Sequence, residues 1–287
     1  MKIAYFGYNA FSSCLDVFVS HGHTLEAIFT GDSNLHADKV IDYAKKNDVP
    51  LFFERPGQEQ MTALVQAGVD VFFAAEYPWK IPIPENLNYA INVHPTLLPE
   101  GRGSAPLTWL ILRNKRYAGI TFHKMTGRFD SGAILLQKGF PLSKGETFET
   151  LFAKLFIEVP ILLHQLLSNL DFHYQNSIEQ VGRASWCKIT PIEQSVDWSQ
   201  TTRKISRQMR AFGQLGIYIN VAGQQYLVTS FEGVEYRHCF ACGEIIYSDQ
   251  LRVVVAAKDG LIVIPRTSLF KSQSTNYPPK SSAEIKG

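Results

Sequence analysis

Cysteine is scarce in this chain: 287 residues hold only Cys14, Cys187, Cys239 and Cys242. Nothing in that set calls for an oxidising compartment, so disulfides are not expected and a reducing cytoplasm is the default location. Charge of one sign is lacking as well. The formal net charge is +2, so no global basic field argues for nucleic acid, although a local patch remains open. No uninterrupted apolar run reaches the roughly 18 residues of a membrane span. The opening Met1-Lys2-Ile3-Ala4-Tyr5-Phe6 reads directly as a strand, which leaves no leader peptide to expect. The turn after it, Gly7-Tyr8-Asn9-Ala10-Phe11, lacks the G-x-G-x-x-G fingerprint, so a nicotinamide cofactor has no support. Cys239 and Cys242 form one C-x-x-C beside His238, but no second pair completes a zinc set. Buried small residues are the expected account of those cysteines, and no metal is expected. His21-Gly22-His23 reads as a helix-to-strand turn. Long basic runs and internal repeats are absent. Arg203, Lys204, Arg207 and Arg210 share one predicted helix and read as a solvated face.

What is present is an ordinary globular composition, 45% hydrophobic and 19% charged, in a length that suits one large domain and one small one. Short apolar runs alternate with amphipathic stretches through the first half. Strands are predicted at Lys2–Gly7, Thr24–Thr30, Leu51–Glu54, Val69–Ala74, Ala90–Val93 and Gly119–Met125. Helices are predicted at Ala10–His21, Asp38–Asn47, Glu59–Gly68, Pro106–Arg113 and Thr147–Leu167, with Ser104 as a candidate N-cap of the fourth. Such alternation implies a Rossmann-like, mostly parallel sheet with helices on both faces. Ligands of such sheets bind at the carboxyl ends of the strands, where strand order reverses. The second half holds one helix, Arg203–Phe212, and five short strands with tight turns at Ala222-Gly223 and Lys258-Asp259-Gly260. It is expected to form a small OB-like β-barrel. The expected domains are 1–185 and 186–272, followed by a polar, flexible tail at 273–287.

The most informative segment runs from Ile91 to Gln137. Asn92 and His94 lie two apart on a predicted strand and therefore share a face. Pro95 and Pro99 stiffen the turn that follows. Asp130 sits in Gly127-Arg128-Phe129-Asp130-Ser131-Gly132. An amide, an imidazole and a carboxylate suit acyl transfer to an amine. The amide steadies an oxyanion, the imidazole takes a proton, and the carboxylate holds the imidazolium. On spacing alone, an N-x-H pair is more often a satisfied polar pair at a strand end.

Asn92-Val93-His94-Pro95-Thr96-Leu97-Leu98-Pro99, Arg102-Gly103-Ser104-Ala105-Pro106 and Arg128-Phe129-Asp130-Ser131-Gly132 occur in this order. Together they resemble the folate-dependent formyltransferase family, with its N-x-H-x-S-L-L-P, R-G-x-x-P and G-x-D-x-G motifs. The likeness extends over most of the chain. It implies a catalytic triad of Asn92, His94 and Asp130, with 10-formyltetrahydrofolate as co-substrate. It further implies that Phe73, Tyr77, Trp79, Lys80, Ile81, Thr126, Gly127, Arg128 and Phe129 bind the folate. Pro95, Thr96, Arg102, Gly103 and Ser104 would face the acceptor. Thr96 replaces the family's serine, Pro95 stands where relatives often carry Gly or Phe, and Arg128 stands where many carry Gly.

The resemblance leaves the acceptor open between a small amine and an initiator tRNA. Relatives acting on tRNA usually carry a basic insertion after the second strand. Here that stretch, Gly31-Asp32-Ser33-Asn34-Leu35-His36-Ala37-Asp38, is short and net acidic. Arg102–Trp109 and Gly119–Met125 are similar to the formyltransferase part of the bifunctional aminoarabinose-modifying enzyme. A nucleotide-linked amino sugar is therefore the favoured acceptor. Methionyl-tRNA or another amino metabolite comes next, and a formyltetrahydrofolate hydrolase or a non-catalytic folate binder is more remote. Neither a membrane partner nor a particular oligomeric state is indicated.

Overall fold

The computed structural model describes residues 1–31, 34–182 and 184–271. The expected tail at 273–287 lies outside the described residues, as do Asp32 and Ser33 of the acidic loop. The chain forms two compact units, Met1–Lys188 and the part from Ile189 onward.

In the first unit, strands β1 (Lys2–Gly7), β2 (Thr24–Phe29) and β3 (Leu51–Phe52) alternate with helices α1 (Ser13–Ser20), α2 (Asn34–Lys46) and α3 (Gln58–Gln66). Next come β4 (Val71–Ala75), β5 (Tyr89–His94), the short β6 (Glu100–Arg102), α4 (Pro106–Leu112), β7 (Tyr117–Lys124) and β8 (Ile134–Pro141). Helices α5 (Phe148–Ser168) and α6 (Leu170–Gln175) and the two-residue β9 (Ala184–Ser185) complete the unit. The main sheet has the order β3-β2-β1-β4-β5-β7-β8. Pairing is parallel from β3 to β5, as the alternation predicts. It is antiparallel from β5 to β7 and from β7 to β8. The last strand, β8, was not predicted; its pattern of burial mixes buried, half-buried and exposed positions and carries no clean alternation.

Strand order reverses between β1 and β4, and their carboxyl ends approach closely there. A Cβ on Gly7 would lie 2.4 Å from the carbonyl oxygen of Ala75, so only glycine fits. One sheet face carries Tyr5, Phe73 and Phe122 with Phe18 of α1 against Phe73. The other carries Phe6, Phe29, Phe72 and Tyr77, covered by Met61, Leu64 and Val65 of α3. Phe72 and Phe73 are both wholly buried, on opposite faces. Phe73 is therefore core, which corrects the expectation that it lines a folate slot. Helix α5 begins with a capping box on Thr147 and continues through Pro160. Its 21 residues are long and apolar enough to cross a membrane by length and composition. Leu151, Leu155, Val159, Leu162, Leu163, Leu166 and Leu167 are instead buried in the protein core. Helix α4 has Pro106 in its first turn, but its N-cap is Ala105 and makes no side-chain cap bond, so Ser104 is not the cap.

The second unit opens with α7 (Pro191–Gln194) and α8 (Thr202–Phe212) and continues in antiparallel strands. Strands β10 (Ile217–Val221), β11 (Gln224–Val228) and β16 (Leu269–Lys271) form one sheet. Strands β12 (Glu232–Glu235), β13 (Ile245–Ser248), β14 (Arg252–Ala257) and β15 (Gly260–Pro265) form another. Strands β12 and β16 were not predicted: every residue of β12 is exposed, and β16 has only three residues, too few for a periodic signal. Ala222 and Gly223 both have positive φ, 49° and 75°, the conformation of a tight hairpin turn. Ile205 of α8 packs with Ile219, Val228, Val255, Ile262 and Ile264. Cys239 and Cys242 are exposed, contrary to the expectation of burial, and every cysteine is a free thiol. Beside them, His238 Nε2 donates to the carbonyls of Ala257 and Gly260 at 2.8 and 3.1 Å.

Candidate active site

The carboxyl end of β5 is where polar residues converge. Asn92 pairs across the antiparallel ladder with His123 of β7, and His94 pairs with Thr121. Directly opposed residues share a face, so the Asn92 amide meets the His123 ring at 2.9 Å. His123 Nδ1 donates to the carbonyl of Lys124 at 2.8 Å, so its Nε2 is the acceptor for the Asn92 N–H. Burial pushes the His123 ring well down, to about 4, partly offset by its bond to Lys124 and by Asp130. A neutral ring therefore fixes which way the Asn92 amide points.

His94 is buried, and its Nε2 lies 2.8 Å from the carbonyl oxygen of Gly101. A carbonyl only accepts, so Nε2 carries a proton. Nδ1 is left facing Asp130 Oδ1 at 3.3 Å. The same oxygen stands 3.8 Å from His123 Nε2. The other carboxylate oxygen accepts from the Gly103 N–H at 3.0 Å. The imidazole is thus held between the Gly101 carbonyl oxygen and the Asp130 carboxylate.

The turn that presents His94 is held from below. Thr121 Oγ1 donates to Thr96 O at 2.6 Å and accepts from Leu98 N at 3.1 Å. Gln137 Nε2 donates to Leu98 O at 2.8 Å. Thr96, expected to face an acceptor, is almost wholly buried and donates to Glu100 O at 2.7 Å. Its hydroxyl belongs to the turn, which corrects that expectation. A cavity of about 190 Å³ lies against this turn, lined by Thr96, Leu97, Lys115, Arg116 and Trp186 among others. Neither His94 nor Asp130 lines it, so it is not the reaction site.

Asp130 has φ +53°, a left-handed backbone that aspartate tolerates better than most residues. Its loop is knitted locally, Thr126 Oγ1 meeting Ser131 Oγ at 2.9 Å and Ser131 Oγ donating to Arg128 O at 3.0 Å. Gly132 is obligatory there, because a Cβ would fall 1.9 Å from Lys124 O. Of the remaining predicted residues, Tyr77 is buried with its hydroxyl unpartnered, and it meets the Trp79 ring edge-on at 5.4 Å. Trp79 and Ile81 are half-buried against the α3-covered core together with Met125. Lys80, Gly127, Arg128, Phe129 and Ser104 are exposed, and Pro95 is half-buried. Arg102 does not reach open solvent with its full fork: Nε and Nη2 both donate to Gln180 Oε1, at 2.9 and 2.6 Å. Gln180 carried no motif signal and lies in a stretch that reads as a linker. Among the described residues, no group of three or more His, Cys, Asp or Glu could hold a metal ion.

Family comparisons address the same segment. The formyl transferase model matches residues 34–165, and the formyl transferase C-terminal domain model matches residues 188–275. The chain belongs to the formyltransferase family. It is similar to the methionyl-tRNA formyltransferase of Enterococcus faecalis, with 31% identity over 225 residues, 73% of this chain and 72% of that one. The Streptococcus thermophilus enzyme of the same name is 26% identical over 277 residues, 91% of this chain and 88% of that one. Among solved structures, the fold is similar to that of the Helicobacter canadensis N-formyltransferase in complex with folinic acid and dTDP-3-aminofucose. That match has a TM-score of 0.68 at 16% identity, covering 92% of this chain and 98% of that one. HypX from Aquifex aeolicus, solved with tetrahydrofolic acid, matches with a TM-score of 0.60 at 19% identity. It covers 92% of this formyltransferase chain and 43% of HypX. The formyltransferase is a folate-dependent enzyme, with 10-formyltetrahydrofolate as the family's co-substrate.

Proposed function

We propose that this formyltransferase delivers its formyl group to the primary amine of a small molecule, most specifically an amino sugar carried on a nucleotide, with Asn92, His94 and Asp130 at the reacting centre. The observation that carries the catalytic part is the Asn92–His123 and His94–Asp130 cluster at the carboxyl end of β5, with its contacts of 2.9 and 3.3 Å. One Asn92 N–H is committed to His123, and the other is available to a carbonyl oxygen that gains negative charge. His94 Nδ1 and Asp130 Oδ1 form the couple through which the amine's proton leaves, while Gly101 O keeps the ring in one orientation. The folate supplies the formyl group when bound. The unpartnered Tyr77 hydroxyl, the half-buried Trp79 and Ile81, and the open ground at Gly127 and Phe129 suit a flat heteroaromatic.

Charge favours the small acceptor. From Ile189 to Lys271 the chain has nine Lys and Arg against seven Asp and Glu. Of these cations, Arg203 pairs with Glu235 at 3.1 Å, and Arg266 donates to Asp249 O and Ser248 Oγ. The near balance of sign across this stretch gives no strong positive field for RNA phosphates. The second reading, methionyl-tRNA as acceptor, is favoured by the names of the sequence relatives. A co-substrate screen separates them. Purified enzyme receives 10-formyltetrahydrofolate with either amino-sugar nucleotides or methionyl initiator tRNA, and released tetrahydrofolate is measured. Formylation of the tRNA alone would refute the small acceptor. In the same assay, His94→Ala is expected to abolish transfer, and Asp130→Ala to lose on the order of a hundredfold or more. Turnover like wild type in either would refute the assigned roles.

A further inference from the structure

We propose that Gln180 is a positioning residue that sets the Asp130 carboxylate against His94. This rests on the catalytic reading of Asp130. Gln180 Nε2 donates to two main-chain carbonyls, Asp130 O at 3.0 Å and Gly132 O at 2.7 Å. These flank Ser131 and grip the loop at its left-handed residue, Asp130, and two positions beyond it. The Oε1 of the same amide accepts from Arg102 Nε and Nη2. A guanidinium on the amide oxygen polarises the group and strengthens its N–H donors, so the two halves of the contact reinforce each other. The residue after Arg102 is Gly103, whose N–H holds Asp130 Oδ2. The Arg102–Gly103 segment therefore fixes Asp130 twice, once through the carboxylate and once through Gln180 and the main chain.

The segment bearing Gln180 is anchored at both ends. Ile178 exchanges backbone bonds with Ile134 at 2.7 and 2.9 Å. Strand β9 pairs with β6, and Trp186 N donates to Arg102 O at 2.8 Å. Gly103 has no room to drift, since a Cβ there would lie 2.7 Å from Trp186 O. Gln180 thus forms a buttress whose two faces touch the two loops that must meet for His94 Nδ1 and Asp130 Oδ1 to lie 3.3 Å apart.

The test uses the full chain labelled with ¹⁵N-histidine. Ring signals of His94 are assigned by their loss in His94→Gln. Gln180→Glu keeps the shape and the acceptor for Arg102 but removes both donors to the Asp130 loop; Gln180→Ala removes everything. Both are expected to shift the His94 ring signals in the direction that Asp130→Asn shifts them, leaving those of His123 in place. With the acceptor that supports turnover, kcat is expected to fall about tenfold, with KM for the folate within about twofold. Adding Gln180→Ala to Asp130→Ala is expected to cost nothing further, whereas a merely structural role would lower activity again. His94 signals unchanged in both Gln180 variants would overturn the proposal. So would a loss that multiplies in the Asp130→Ala background. Absence of wild-type turnover with every acceptor would instead overturn the transfer reading and leave the ring signals to decide the contact.

Discussion

Acidification is expected to unfold this enzyme partly through one ring. His123 is almost wholly buried, and burial lowers its pKa from 6.5 to about 4. Between those values the unfolded chain holds a proton that the folded chain excludes. Stability is therefore full above about pH 6.5 and declines as pH falls toward 4. Each pH unit below 6.5 removes about 1.4 kcal/mol from this source, so about 2 kcal/mol is lost between pH 7 and pH 5. For a unit of this size, that corresponds to a fall of roughly 4–8 °C in Tm. Other groups add their own pH dependence, so the measurement is a comparison. Thermal unfolding of wild type and His123→Gln, by circular dichroism at pH 5, 6 and 7, should give curves that converge on acidification. The glutamine does not titrate and lacks this linkage, whatever it costs at neutral pH. Parallel curves across the range would show that His123 is not held neutral and would remove the argument for the Asn92 amide's orientation.

Two further outcomes are expected. Glu76, just beyond β4 at the point where strand order reverses, keeps solvent access, yet burial of its surroundings raises its carboxyl to about 7. A raised carboxyl pKa means its charged form is disfavoured in the fold, so its contribution is lost as pH rises from about 4.5 through 7. Glu76→Gln should therefore raise Tm at pH 8 and change it little at pH 4.5; equal effects at both would contradict this. Gly132→Ala should displace the Asp130 loop, since the added Cβ meets Lys124 O. A stability loss of about 1–3 kcal/mol in denaturant titration is expected, with a larger proportional loss of turnover. An unaffected rate would mean the loop tolerates movement.

The parallel half of the sheet was legible because β1, β2 and β4 are nearly continuous apolar runs, and buried strands have that composition. Asn92, His94 and Asp130 were legible from ordered motifs, and the structure brings their side chains to one strand end. What could not be read depends on strand direction and long-range contact. The antiparallel turn of β7 puts His123 opposite Asn92, and no local pattern encodes that direction. Gln180 lies 50 residues from Asp130, in a segment without periodicity, and its role exists only once that segment folds back. Phe73 and Thr96 were misplaced for a related reason. An aromatic on a strand and a hydroxyl in a turn look alike in sequence whether they face a ligand or the interior, and both face inward here.

The order in which the chain emerges during synthesis gives the Ile178–Trp186 segment a second meaning. Asn92, His94 and Asp130 leave the ribosome early, but the residues that lash the two loops together come about 50 positions later. A nascent chain ending after Gln175 already contains all seven strands of the main sheet and lacks the tie between its loops. A chain halted between Gln175 and Gln180 would hold Asn92, His94 and Asp130 without the brace that aligns them, and the second unit begins only about ten residues later, at Ile189.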